Sequence, residues 1–191
     1  QMNNTDNKET RSLLPLEGVG GLIAISQFYG RDSRFVIAGG GNTSFKNADK
    51  LWVKASGSSL ATITEEGFAV LDRAKLNLMS DKVYSANAAE REEQVKNDLA
   101  DATITKGKRP SVETSMHNVI DFAFVVHMHP TLVNGLMCAK VSETEFSGLA
   151  KLNELFGEKN VFVPYTDPGY VLFKVVEDKI KEYRQKYNEE P

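Results

Sequence analysis

Two histidines, His127 and His129, follow the apolar run 122–126 (FAFVV) with one residue between them. Side chains alternate along a strand, so both imidazoles would emerge on one face, with Cβ atoms roughly 6–7 Å apart. Both rings could then converge on one divalent cation, through Zn–N bonds of about 2.0–2.1 Å. The alternative is a solvent-facing pair at the end of a strand. The two histidines alone leave both interpretations open.

Glu113 is a carboxylate that could complete this set. It falls in the first turn of a helix predicted to run from Ser111 to about residue 120, where the helix dipole stabilises negative charge. That role is purely structural. Alternatively, Glu113 joins the histidine pair around a metal and accepts a proton when substrate displaces it. His117, four residues later on the same helix face, is either a third metal ligand or, as we prefer, a partner of core groups.

Three loops offer donors suited to an anion. Residues 39–44 (GGGNTS) combine flexible backbone with amide and hydroxyl groups that could cradle a phosphate. Their spacing fits neither a Walker A loop nor a dinucleotide fingerprint. Residues 56–59 (SGSS) form a hydroxyl-rich turn, and Ser111 precedes a predicted helix, where it could cap the helix or bind an anion. Each loop taken alone could be an ordinary turn, but three such loops in one small domain are harder to dismiss.

The composition limits the class of protein. The chain has 191 residues, 41% hydrophobic and 26% charged, as expected for one globular domain. Its net charge of -3 argues against partners such as nucleic acid or an anionic membrane. No apolar run is long enough to cross a bilayer. The single cysteine excludes an internal disulfide, and we expect a cytoplasmic protein.

Apolar periodicity predicts alternating helices and strands, which indicates an α/β fold. We expect a flexible segment over residues 1–15 and one domain over 16–191, with no internal repeat. The predicted helices cover residues 16–29, 88–102, 111–120, 131–139, 143–156 and 171–187. The predicted strands cover residues 34–38, 51–55, 68–71, 122–128 and 161–163.

The order of the motifs resembles that of class II aldolase/adducin domains. The matching segments are GGGNTS (39–44), WVKASG (52–57), RPSVE (109–113), VHMHP (126–130) and YTDPG (165–169). The resemblance runs from about residue 16 to residue 176. It is stronger to the aldolase part of rhamnulose-phosphate aldolase/dehydrogenase-like proteins than to L-fuculose-phosphate aldolase.

This resemblance implies a three-layer α/β/α domain with a mainly antiparallel central sheet, assembled as a homo-tetramer. It implies a zinc enzyme that cleaves a phosphorylated ketose into dihydroxyacetone phosphate and an aldehyde. Zinc would polarise the ketone and stabilise the enediolate. By position, His127 and His129 would be zinc ligands and Glu113 the carboxylate of proton transfer. The substrate phosphate would be held by Gly41, Asn42, Ser56, Gly57 and Ser111.

The sequence departs from the family pattern at two places. The third zinc histidine is absent, since no histidine follows His129 before the chain ends at Pro191. We therefore expect a domain truncated at its C-terminus, which binds zinc poorly and has little aldolase activity by itself. Val112 stands where fuculose-type members place a second phosphate-binding serine. The alternatives are a non-catalytic, adducin-like assembly module and a pentulose-phosphate 4-epimerase.

Overall fold

Four antiparallel strands form one sheet in the computed structural model, which describes residues 17–138, 154–157 and 159–191. The strands are β1 (Asn42–Lys46), β2 (Lys50–Lys54), β3 (Phe68–Asp72) and β4 (Phe124–His127). Their order in the sheet is β3-β2-β1-β4. Strand β4 therefore lies at the edge beside β1, although it comes last in sequence.

Six helices are described along their whole length: α1 (Gly18–Gly30), α2 (Arg73–Asp81), α3 (Ala88–Ala102), α4 (Thr114–Val119), α5 (Thr131–Cys138) and α6 (Tyr170–Tyr187). Short 3₁₀ turns cover Leu60–Thr62 and Glu65–Gly67. The Asp72 carboxylate caps α2 by accepting the N–H groups of Ala74 and Lys75. Asn87 caps α3 in the same way through the N–H of Glu90. Among the described helices, none has the length and apolar character that a membrane crossing needs.

Apolar residues on both faces of the sheet pack against helices, which confirms the three-layer α/β/α fold with an antiparallel sheet. On one face, Leu51, Val53 and Leu71 lie in a buried cluster with residues of α2 and α3. On the other face, Phe68 packs with Leu22 of α1 and with a group of partly buried apolar side chains, Ile23, Phe45, Trp52 and Phe124. Burying each of these large side chains contributes about 1.5–3 kcal/mol.

The first predicted strand is wrong, and the true first strand lies in the segment predicted as a loop. Residues 34–38 form turns because Asp32 competes for their donors. Its carboxylate accepts the N–H and the guanidinium of Arg34, and its carbonyl accepts the N–H groups of Phe35 and Val36. Strand β1 follows at residues 42–46, where buried side chains of both faces are polar, so no apolar alternation marks it.

Other boundaries also differ from the predictions. Strand β4 ends at His127, so His129 lies beyond it, and α4 begins at Thr114 rather than Ser111. Residues 161–163 are irregular and join no strand in the described part of the chain. The predicted flexible segment 1–15 lies outside the described residues, as does most of the predicted helix 143–156, of which 154–156 are helical. The helices predicted at 16–29, 88–102, 131–139 and 171–187 and the strands at 51–55 and 68–71 are confirmed within a few residues.

Gly30 marks the tightest contact between α1 and the rest of the domain. A Cβ there would lie 2.4 Å from the Ala61 nitrogen, whereas a Cβ at Gly20 would meet nothing within 4 Å. We predict that Gly30→Ala lowers the free energy of unfolding by about 1–3 kcal/mol through overpacking. Gly20→Ala on the same helix should raise it by about 0.5 kcal/mol. Urea unfolding of both variants checks this, and equal effects would contradict it.

Candidate active site

The candidate site is built where β1 begins and β4 ends. Asn42 and His127 are direct cross-strand partners in the sheet, so their side chains share one face. Gly41 precedes Asn42 with φ +70°, and a Cβ at that position would lie 2.8 Å from the His127 carbonyl oxygen. A glycine is therefore required for the glycine loop to pass this close to β4.

Glu113 reaches this strand pair from the start of α4. It occupies the N-cap position, but its side chain makes no capping hydrogen bond. The carboxylate instead accepts hydrogen bonds at Oε2 from Asn42 Nδ2 and, at 2.9 Å, from His127 Nδ1. The Ser111 hydroxyl accepts the Glu113 N–H at 3.2 Å. Ser111 therefore lies two residues before the N-cap and does not cap α4 itself, and its hydroxyl binds the backbone of the turn that leads into the helix.

The pKa of Glu113 lies below its usual value. Burial would raise this pKa, but the hydrogen bond and charge of His127 and the hydrogen bond of Asn42 outweigh that effect. The carboxylate is therefore ionised at neutral pH and can only accept hydrogen bonds. This carboxylate accepts from His127 Nδ1–H, and in a neutral ring that tautomer leaves the Nε2 lone pair available to a ligand.

His129 joins His127 by a route that differs from the prediction. The ring centroids lie 4.7 Å apart with planes 49° to each other, so the two imidazoles are neighbours. His129 is not in the strand, however. Its backbone N–H donates to the Phe35 carbonyl at 3.1 Å, and Thr131 N–H donates to Arg34. The turn over residues 34–38 therefore positions His129, rather than the period of a continuous strand.

These groups line a cleft of about 270 Å³. Its lining includes every residue predicted for the site except Gly57, which lies in the adjoining turn with φ +88°. Val112, where the family pattern has a serine, also lines the cleft. The structure thus brings the predicted phosphate-binding and proton-transfer residues into one site.

Lys54 is a site residue that the sequence reasoning missed. It is buried at the end of β2, lines the cleft, and donates through Nζ to the Gly39 carbonyl at 3.4 Å. Burial lowers the pKa of Lys54, and the charge of Glu113 opposes that shift. The available signal was a lysine within the otherwise apolar strand 51–55, where an unpaired charge is costly.

His117 lies away from the cleft, as the preferred interpretation had it. It is buried, and its Nδ1 lies 2.7 Å from the Ser44 hydroxyl. Burial lowers the pKa of His117 to about 3, so the ring is neutral.

Lys46 donates to the carbonyls of His117 and Ile120 at the end of α4, at 2.9 and 2.5 Å. Burial also lowers the pKa of Lys46, to about 8. These contacts fix α4, and with it Glu113, on the sheet.

Two imidazoles and a carboxylate are suitable donors for a divalent metal. Within residues 17–138, 154–157 and 159–191, however, no three His, Cys, Asp or Glu side chains are arranged to hold a metal ion. One carboxylate oxygen of Glu113, Oε2, is engaged with His127 Nδ1 and Asn42 Nδ2. The metal role of His127, His129 and Glu113 therefore stays a prediction. The donors that fit it best are the two imidazole rings.

Comparison with known proteins gives consistent matches along the chain. Residues 21–188 match the family described as the class II aldolase and adducin N-terminal domain. A protein of Bacillus subtilis (strain 168), named uncharacterized oxidoreductase YuxG, is 30% identical over 186 residues, which cover 91% of this chain. The chain spans only 25% of that protein.

Among solved structures, the chain is similar to the N-terminal class II aldolase domain of a conserved protein from Thermoplasma acidophilum. The TM-score is 0.71 at 25% identity, over 85% of this chain and 75% of that one.

The buried, neutral His117 predicts acid sensitivity. Its pKa is about 3 in the folded chain and about 6.5 when unfolded, so the unfolded state binds more protons between these values. Stability should therefore fall as the pH drops below 6.5, by about 1 kcal/mol per pH unit from this residue. Urea unfolding of wild type and His117→Gln between pH 6.5 and 5 measures the difference. Equal slopes in the two proteins would contradict the prediction.

Proposed function

Because this chain belongs to the class II aldolase and adducin N-terminal domain family, we propose that it carries out metal-dependent aldol cleavage. The substrate is a phosphorylated ketose, and the products are dihydroxyacetone phosphate and an aldehyde. The observation that supports this most is the ionised Glu113 carboxylate between Asn42 and His127, in a cleft that also holds His129. The relative named an oxidoreductase matches over a quarter of its length, so its name does not define the reaction of this domain.

Glu113 acts as the group that moves a proton. Its lowered pKa keeps Glu113 ionised at neutral pH, so the carboxylate is present in the form that accepts a proton, and its partial burial limits competition from water. The ionised carboxylate accepts the proton of the hydroxyl on the carbon that becomes the aldehyde as the carbon–carbon bond breaks. The protonated Glu113 then returns this proton to the carbon beside the ketone, which regenerates the carboxylate. Asn42 and His127 hold the carboxylate in place through that exchange.

The substrate phosphate lies among the hydroxyl and backbone donors of the cleft. Ser56 and Ser111 supply hydroxyl groups, and the glycine-containing turns at 39–41 and 56–57 supply backbone N–H groups. Lys54 adds a positive charge that is buried in the same cleft. A cation held in a partly desolvated site attracts a dianion much more strongly than one in water.

His127, through its free Nε2, and His129 would hold the metal. A bound zinc or similar ion would act as a Lewis acid that polarises the substrate carbonyl. Structural and catalytic zinc sites use at least three protein ligands, so a further ligand is required. We propose that it comes from outside the described residues, and that the working enzyme is a homo-oligomer, tetrameric as its resemblance implies.

We predict that Glu113→Gln lowers kcat for dihydroxyacetone phosphate release by about 10²–10⁴-fold, because the side-chain amide of glutamine cannot accept and return the proton. The assay uses ketose 1-phosphates with added zinc, and Glu65→Gln, on an exposed 3₁₀ turn, is the matched control with unchanged activity. Full activity in Glu113→Gln would contradict the assignment. Pentulose-phosphate epimerisation instead of cleavage would replace the aldolase proposal. Formation of neither product by a chain extended past Pro191 would favour a binding module.

Weak zinc retention is a second prediction. The chain has three histidines, and His117 is bonded to Ser44, so only two imidazoles face the cleft. After dialysis against zinc-free buffer, elemental analysis of the 191-residue chain should give well below one zinc per chain. The residual zinc should disappear in the double variant His127→Gln, His129→Gln. Stoichiometric zinc in the dialysed wild type would contradict this prediction.

A further inference from the structure

A second cleft, of about 710 Å³, lies beside the candidate active site and takes no part in the proposed reaction. It shares Ser56 and Val112 with the first cleft, so the two adjoin. The rest of its lining comes from α3 and from the segment 103–110. We call it the basic cleft, after its lining residues Lys106, Lys108 and Arg109. Its volume falls within the range of small-molecule sites, about 300–1,000 Å³.

Positive charge is concentrated in the basic cleft although the chain as a whole has a net charge of -3. Four cationic side chains line it, against the single carboxylate of Glu92. Lys96 is paired with Glu93 at 3.0 Å. In the described part of the chain no carboxylate lies within 4 Å of Lys106, Lys108 or Arg109, although the charge of Lys108 contributes to the lowered pKa of Glu66. Three cations fall within four sequence positions and line the same cleft, where like charges raise the local positive potential.

The backbone holds these cations together. On one side, Ile104 N–H donates to the Val70 carbonyl at 2.8 Å, and Val70 N–H donates to the Thr105 hydroxyl at 3.1 Å. On the other side, Ser56 N–H donates to the Arg109 carbonyl at 2.9 Å. The segment between is therefore tied to β3 at one end and to the Ser56 turn at the other. The backbone of this segment is therefore already fixed before a ligand binds, so binding an anion orders only the side chains.

The remaining lining has the character of a ligand site. Part of the lining is apolar and consists of Leu99, Ala100 and Pro110, which we call the apolar floor. Ser56 lines both clefts. We propose that the basic cleft is a second phosphate-binding subsite, separate from the phosphate position at Ser111. Its ligand is a phosphate ester whose organic part lies on the apolar floor. Lys106, Lys108 and Arg109 neutralise the phosphate through charge-assisted hydrogen bonds.

Titration with inorganic phosphate at constant ionic strength, followed by backbone amide NMR of the 191-residue chain, tests this proposal. We expect saturable shifts at residues 105–109, which chloride does not produce. The double variant Lys106→Gln, Lys108→Gln should weaken binding at these amides at least about tenfold, as loss of charge-assisted bonds requires. Lys50→Gln, Lys181→Gln removes the same charge from exposed positions elsewhere and should change affinity less than about twofold.

The proposal is overturned if chloride gives the same shifts, if shifts are confined to residues 41–42 and 111, or if both double variants bind alike. Fructose 1,6-bisphosphate then distinguishes two sources of the phosphate. If the shifts at residues 105–109 and those at residues 41–42 and 111 give the same dissociation constant, the basic cleft binds the distal phosphate of a ligand that spans the two clefts. Two different constants support a separate phosphate ester in the basic cleft.

Discussion

The Glu113 carboxylate, held between Asn42 Nδ2 and His127 Nδ1, is the contact on which the site depends. It joins three elements that are distant in sequence, the start of β1, the end of β4 and the beginning of α4. The two donors lower the pKa of a carboxylate that burial would otherwise raise. One ionised group thus fixes the tautomer of a histidine and remains available to accept a proton.

A polar layer beneath this contact holds it in position. Ser44 and Lys46 follow Asn42 on the same face of β1, and they bond to the side chain and backbone of α4 rather than to apolar groups. Buried polar groups are costly unless they are paired, so this layer favours one placement of α4 on the sheet. The apolar clusters around β2 and β3 stabilise the fold as a whole. The polar side chains of β1 fix the position of α4 relative to the sheet.

The elements with regular apolar periodicity could be predicted from the sequence, and those shaped by polar contacts could not. Helix α3 was readable because Val95 and Leu99 recur at helical spacing, and both are buried. Strand β1 was missed because its buried side chains include Asn42, Ser44 and Lys46. The sequence correctly predicted that His127 and His129 are neighbours, but it predicted this from a continuous strand. In the structure a turn orients His129 instead. Lys54 could not be assigned to the site from the sequence, because the sequence does not show which face of β2 meets the cleft.

The tautomer of His127 is the most direct test of this arrangement. ¹⁵N NMR of the labelled imidazoles at neutral pH distinguishes a proton on Nδ1 from one on Nε2. The hydrogen bond to an ionised Glu113 predicts the Nδ1–H form in the wild type, with Nε2 free. A dominant Nε2–H form would show that Glu113 does not hold the ring, and it would contradict the site described above.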